Sequence, residues 1–466
     1  MDDATFEGIW WIPGDVTRGV AGNLIKSVTD FKLSLTGSFT DMQHVMTAES
    51  YPLVLGVAKG AKQITLLDCV QTGANLGMPG FVSKVFMPRA ALVGGHLEHE
   101  EALRFPKATF QYSYLPDWVG ASGFDRKLEM DGDQLKRVQI TYEYPEEITT
   151  AIPGGEFAIS YGFETGGDLL SDATLRQNVH VRIELEESLD LVNWFSKYVE
   201  PLQNLLTLAT GRPNAITGVR VYSPELIVST SKGDWMSPLE VLFTQDFGDD
   251  RKAGRLYPHD MLFTLGDLGE HAGRVINDWL QVAEELDSVC NLFFGVQYGG
   301  PTYLRNRFLP LVQAVESYHR RRKQNYVLRP EAHEKRVEEI VANASAEHRE
   351  WLGQNIGDHT NEPSLRTRLK ELVSEAEEIV VPLIAGSKKK FIDDVVNTRH
   401  YLTHFDEELR EKAAQGEELF HLSRTLSFIV QACLLGELGL EGETRTALFK
   451  RNQPYLYAVR QAKSNA

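Results

Sequence analysis

Cysteine is scarce: the 466 residues hold three, Cys69, Cys290 and Cys433, widely separated and without a CxxC pair. That excludes a disulfide framework and fits reduced, buried thiols in a cytosolic protein. No apolar run reaches the length of a membrane span. The opening residues MDDATFEGIW lack the basic and apolar regions of a secretory signal. A membrane is therefore not an expected partner, and the expected location is the cytoplasm. A P-loop, a GxSxG elbow and a Rossmann glycine fingerprint are all missing. So are internal repeats and low-complexity segments. Positive charge is the minority sign, with 48 Lys and Arg against 65 Asp and Glu, a net charge of −17. Such a chain is not a general polyanion binder, and any nucleic-acid contact has to be a local basic patch.

What is present divides into two halves. Hydrophobic content of 42% and charged content of 24% are those of a soluble globular protein, and the length suits two or three domains. The first half alternates with period two. FKLSLTGSF sets Phe31, Leu33 and Leu35 on one face; RVQITYEY does so with Val138, Ile140, Tyr142 and Tyr144; EFAISYGFE and VHVRIELE follow suit. These predict half-buried strands of a mostly antiparallel, β-sandwich-like or curved sheet. One long helix interrupts them, SLDLVNWFSKYVEPLQNLLTLATG, with Ser188 as expected N-cap, Pro201 as expected kink and Gly211 as terminator. From about residue 270 the period becomes helical, with expected helices within 272–295, 303–323, 333–345, 364–384, 388–408 and 417–439 and a last one near ETRTALFKRN. The expected fold is α+β in two domains: residues 1–265, β-rich, and residues 266–466, a helical bundle.

The segment NTRHYLTHFDEE, 397–408, raises the chemical question. At about 100° per residue, Ile392, Val395, Val396 and Leu402 form an apolar arc with Arg399 near its centre. An arginine facing a core needs a carboxylate partner, Glu316 or Glu437 for example, or a face that meets another chain or a polyanion. Asn397, His400 and His404 form a polar stripe beside it, while Arg399 and His404 stand about 140° apart. They converge on one substrate only if the helix distorts or a symmetry mate supplies a second set. Two basic clusters lie in the same half, Lys388, Lys389 and Lys390 before this helix and Arg320, Arg321 and Arg322 in YHRRRK. They could contact phosphates or simply cap helix termini. His96 and His99 in GGHLEHEE could bind a metal but have no evident third ligand, and read better as a polar loop. His400 and His404, at i and i+4, lack an HExxH glutamate. GGEF, 154–157, reads as a turn and strand.

RHYLTH in a late helix of a bundle resembles the Arg-x4–6-His signature of HEPN domains. FLPLVQAVESYHRRR, 308–322, is similar to the opening helix of ApeA-type HEPN domains. LVGGHLEHE, YSYLPDWVG and LQNLLTLATGRP resemble the β-rich domain that precedes HEPN in ApeA-type abortive-infection proteins. The resemblance covers most of the chain. It implies an anti-phage effector whose HEPN half is a metal-independent endoribonuclease needing no cofactor and acting as a homodimer on RNA. Cleavage would use the substrate's own 2′-OH and leave 2′,3′-cyclic phosphate and 5′-OH ends. His404 would be the acid/base, Arg399 the phosphate ligand and His400 a second proton carrier or orienter. Asn397, Arg320–Arg322 and Lys388–Lys390 would be further RNA contacts. The chemistry agrees with the residue types: imidazole moves protons near neutrality, and a forked guanidinium suits a phosphate. Residues 1–265 would sense a phage-derived trigger. The alternative is a non-catalytic HEPN module that dimerises or binds a nucleotide, with a ligand-recognising β-domain.

Overall fold

The computed structural model describes residues 3–27, 30–40, 47–77, 81–231, 233–245, 254–300 and 303–464. The chain packs as two compact units. The first comprises Met1–Leu206, Pro213–Leu256 and Thr264–Asn277; the second comprises Thr207–Arg212, Tyr257–Phe263 and Asp278–Ala466. The first is β-rich and the second helical, the α+β arrangement expected.

The strands of the first unit are β1 (Ala4–Trp11), β2 (Val20–Lys26), β3 (Phe31–Thr36), β4 (Ser50–Ala58), β5 (Lys62–Gly77), β6 (Phe81–Met87), β7 (Ala90–Val93), β8 (Phe105–Tyr112), β9 (Phe124–Asp131), β10 (Gln134–Tyr142), β11 (Ile148–Ile152), β12 (Gly155–Gly166), β13 (Thr174–Leu189), β14 (Ile216–Thr230) and β15 (Gly233–Leu242). Thirteen form one antiparallel sheet in the order β11-β12-β13-β8-β14-β15-β7-β5-β4-β1-β2-β3-β6, and β5 also pairs with β6. That extra pairing closes β1-β2-β3-β6-β5-β4 into a barrel, with the other strands continuing as a sheet. The closure depends on β5. Its first part pairs with β4 and β7, and beyond Val70 it pairs with β6. Asp68 sits between the two parts at φ 49°, a left-handed conformation that aspartate tolerates better than most residues.

Alternation explains the barrel interior. Leu33, Phe86, Leu24, Leu66 and Trp10 are buried together, and closure leaves these strands no free barrel edge. A Cβ on Gly56 would stand 2.2 Å from the Trp10 ring, so the indole occupies the space a side chain would take. One charge is enclosed as well. The Lys84 side chain is fully buried and pairs with Glu49, which also accepts from Thr40 (2.6 Å) and Tyr51 (2.9 Å). Burial pushes the Glu49 carboxyl up, but the hydrogen bonds from Lys84, Thr40 and Tyr51 and the Lys84 charge outweigh it and hold it below the ordinary carboxylate range.

The β9–β10 pair stands apart from the main sheet as a two-stranded ribbon. The alternation in β10 is therefore a real strand signal with the wrong consequence. Val138, Ile140 and Tyr144 were expected to be half-buried, yet all are exposed, because among the described residues no second layer covers them.

The helices are α1 (Leu115–Val119), α2 (Leu191–Trp194), α3 (Glu200–Thr210), α4 (Leu265–Leu268), α5 (Ala272–Glu285), α6 (Asp287–Tyr298), α7 (Leu304–Arg322), α8 (Pro330–Asn343), α9 (Ala346–Asn355), α10 (Leu365–Glu375), α11 (Glu377–Val380), α12 (Lys388–His404), α13 (Gly416–Glu437), α14 (Gly442–Arg451) and α15 (Gln453–Ser464). Several differ from expectation. Asp190, not Ser188, caps the long helix, accepting from the Asn193 N–H at 2.9 Å, because β13 runs on to Leu189. A π-turn at Phe195–Val199 precedes Pro201 and absorbs the irregularity expected as a kink. The helix expected over 272–295 is two, α5 and α6, broken at Leu286. α9 was not expected, and α15 rather than α14 is the last helix described. By length and composition α13 alone among the described helices could cross a membrane, which corrects the reading that no run is long enough; it is mostly buried in the bundle.

Candidate active end of α12

α12 starts where Ser387 accepts a hydrogen bond from the Lys390 N–H. Its apolar residues Phe391, Ile392 and Val395, with Thr398, are the buried face. Thr398 Oγ1 accepts from the Ala414 N–H at 2.9 Å, tying the helix to the start of α13. Past Thr398 the helix emerges. Asn397 and Arg399 are half-buried, and His400 and His404 are exposed. On the 100° spacing Arg399 falls between buried Ile392 and Val395, yet so near the end of the helix that it is only half-buried. No recorded ion pair joins Arg399 to Glu316 or Glu437. Glu437 is taken instead by Tyr318 Oη (2.8 Å) and Arg322 Nε (2.9 Å).

The two histidines act as one surface. Their rings stack at 24°, with centroids 6.2 Å apart. Immediately beyond, Phe405 stops the helix. It adopts φ 53°, exposes 60% of its surface and donates its N–H to the Tyr401 carbonyl at 2.7 Å. A bulky residue in this region is an uncommon, strained choice. Asp406 then accepts from the Glu408 N–H, so an acidic turn follows the histidines directly. The arrangement presents a guanidinium and two imidazoles to solvent from one helix end. A guanidinium there can bind a phosphate, and an imidazole can give or take a proton.

The basic clusters are placed otherwise. Arg320 pairs with Glu362 (2.6 Å), Arg321 donates to the Glu285 carbonyl (2.8 Å), and Arg322 bridges Glu285 and Glu437. Burial works against the Arg322 charge, but these two carboxylates more than restore it and raise its pKa. Glu437 ends α13, whereas Thr398 touches Ala414, two residues before α13 begins. Lys388 pairs with Glu377 and Lys390 with Asp394, whose hydrogen bond raises the Lys390 pKa; Lys389 is exposed. The structure thus sets Asn397, Arg399, His400 and His404 on one end of α12, with His400 against His404, and leaves the other six basic residues elsewhere.

A supporting network escaped the sequence. Fully buried His319 receives a hydrogen bond from Arg368 at Nδ1 (3.1 Å) and meets Glu371 at Nε2 (2.6 Å), joining α7 to α10. Arg366, also on α10, pairs with Asp393 of α12. The only available signal was His319 beside the apolar face of α7. In the first unit His96 contacts the Gly56 carbonyl (2.9 Å) and the edge of Trp11. Among the described residues no cluster of three His, Cys, Asp or Glu could hold a metal. GGEF lies at the start of β12, a turn and strand.

Residues 5–279 match the family model of ApeA N-terminal domain 1, and residues 309–444 match that of the Apea-like HEPN. No curated protein and no solved structure matches the chain. HEPN domains are in general ribonuclease-like, and this pair of domains is that of abortive-infection effectors. The second match spans α12 and all four residues set on its end. The chain belongs to the ApeA family: an ApeA N-terminal domain followed by an Apea-like HEPN domain.

Proposed function

We propose that the protein is an anti-phage endoribonuclease that works without a metal. The observation that carries this reading is the solvent-facing end of α12, where Arg399, His400 and His404 lie within the segment matched to the HEPN family. The substrate's 2′-OH attacks its own phosphorus, His404 transfers the proton, and Arg399 offsets the charge growing on the phosphorane. His400, stacked on His404, carries the second proton or holds the first imidazole in place. The products are a 2′,3′-cyclic phosphate and a 5′-OH. Asn397 lies in the polar stripe and contacts RNA. Arg320–Arg322 and Lys388–Lys390, mostly engaged by internal acceptors, serve as outer phosphate contacts after exchange of those partners.

Arg399 and His404 diverge by about 140° on one helix, so one copy aims them at different points. A two-fold pair of HEPN domains would place two sets around one phosphate, and the active species is a homodimer. Residues 1–265 restrain the HEPN pair of residues 266–466 until a phage-derived ligand binds, and the protein acts in the cytoplasm. The acidic turn Asp406–Glu408 favours the other reading, a non-catalytic HEPN module, because carboxylates beside the histidines repel a polyanion. Incubation of the full chain with total RNA in excess EDTA, with and without lysate of infected cells, separates the two. Cyclic-phosphate ends support the ribonuclease, and intact RNA under both conditions supports the binding module.

A further inference from the structure

The β9–β10 ribbon is amphipathic to an unusual degree for a surface element. Its register pairs Arg126 with Ile140, Leu128 with Val138 and Met130 with Leu135. Period two therefore sorts the side chains cleanly. One face carries Phe124, Leu128, Met130, Leu135, Val138 and Ile140. The other carries Asp125, Lys127, Glu129, Arg137 and Gln139. The charges of the polar face are near their own neighbours: Arg137 and Glu129 at 3.6 Å, Lys127 and Asp125 at 3.8 Å. That face needs nothing further. The apolar face is bare, its five central side chains being 47–58% exposed.

The ribbon's base is secured to its own unit. Gln177 of β13 accepts from the Gly123 N–H and donates to the Ala121 carbonyl, both at 2.9 Å, and Tyr142 stacks on Phe163 of β12 at 4.5 Å. Beyond that base, two strands without a covering layer are marginal in water. The apolar face leaves roughly 500 Å² uncovered, near the upper end of the largest patch an ordinary monomer exposes, a size that is often functional. Mixed charge on the polar face excludes attraction to a polyanion or an anionic membrane.

We infer that this face is a self-association surface, in which the ribbon of a second copy packs face to face on the first. Two such faces bury about 1,000 Å² together, the size a specific interface has to reach. A flat apolar ribbon meets the requirement of a two-fold contact, since the same patch serves both sides. The product is a four-stranded sandwich with sheets about 10 Å apart, apolar inside and charged outside, the ordinary solution for half-apolar sheets. Arg126, the one charge on the apolar face, lies toward the anchored end, where its long stem lets the guanidinium reach solvent. This surface belongs to the ApeA N-terminal domain and does not rest on the ribonuclease reading.

Cross-linking the purified full chain tests it. The native thiols Cys69, Cys290 and Cys433 are buried, so an added cysteine is the reactive one. Val138→Cys on the apolar face and Gln139→Cys on the polar face are treated with a bismaleimide of about 10 Å reach, the spacing of packed sheets. Val138→Cys is expected to give covalent dimer at least tenfold faster than Gln139→Cys. Adding Leu128→Lys and Ile140→Lys to Val138→Cys should remove that advantage. Equal rates for the two cysteines, or a Val138→Cys rate untouched by the lysines, would overturn the inference. RNA cleavage is not a readout, so its loss or retention leaves this test unaffected.

Discussion

Arg399 sits where a charge is tolerable and useful at once. It projects on the core side of α12 but only half-buried, near the end of the helix, so no buried carboxylate is required. Arg399→Ala and His404→Ala should each abolish RNA cleavage and cellular toxicity while leaving the melting temperature within about 2 °C, since surface changes rarely exceed about 0.5 kcal/mol. Unfolding of Arg399→Ala on calorimetry would mean the guanidinium holds the bundle together instead. The buried Lys84–Glu49 pair behaves in the opposite manner. Lys84→Met strands a carboxylate in the barrel and should cost about 3–5 kcal/mol, whereas Lys84→Met with Glu49→Leu should recover most of it. Denaturant titration of the two variants decides. The sign with pH follows from the Glu49 shift, which is downward. Its stabilisation is complete above the unfolded carboxylate value of about 4.3 and disappears as pH falls through the lower folded value. Melting temperature between pH 6 and pH 3 should therefore fall more steeply in the native protein than in the doubly substituted one.

Elements were legible wherever one periodicity governed a stretch. Phe31, Leu33 and Leu35 are buried in β3 as their alternation implies, and Val179, Val181 and Ile183 likewise in β13. Alternation reports that a strand has an apolar face; it does not report whether the chain itself covers that face, which is why β10 was misread. Breaks set by one residue's backbone were invisible too: Leu286 divides α5 from α6 without glycine or proline, and Phe405 ends α12 in a conformation its side chain disfavours. Asn397, Arg399, His400 and His404 share one helix end because they are local in sequence. The engagement of Arg320–Arg322 was not legible, because their acceptors Glu285, Glu362 and Glu437 are distant along the chain. The same holds for Thr398, which reads as an unremarkable helix position yet caps the Ala414 N–H. Thr398→Val keeps the shape and removes that acceptor. It should lower stability by about 1–3 kcal/mol and reduce cleavage several-fold by loosening the end of α12. Full activity in a destabilised Thr398→Val protein would show that this anchor does not position the site.

Across the whole molecule the two matched domains do not coincide with a simple cut at residue 265. Buried Met261, Leu262 and Phe263 pack in the helical unit, where the Asp260 carbonyl accepts from Asn452 Nδ2 and the His259 carbonyl from the Gln453 N–H (2.8 Å). A fragment of residues 257–466 should consequently melt several degrees higher than one of residues 266–466, since three buried apolar side chains are worth several kcal/mol. Restraint by the N-terminal domain requires a ligand that prefers one of two arrangements. If that domain restrains the HEPN pair, the folded fragment is more toxic than the full chain in uninfected cells and no longer responds to phage. A fragment that responds to infection as the full chain does would place the sensor within the helices. All of this depends on the end of α12 being a ribonuclease site. The most direct measurement is side-by-side RNA cleavage, in excess EDTA, by the native full chain and its His404→Ala variant, matched for folding by calorimetry. The expected result is cyclic-phosphate-ended fragments from the native protein and none from the variant; equal cleavage by both would contradict it.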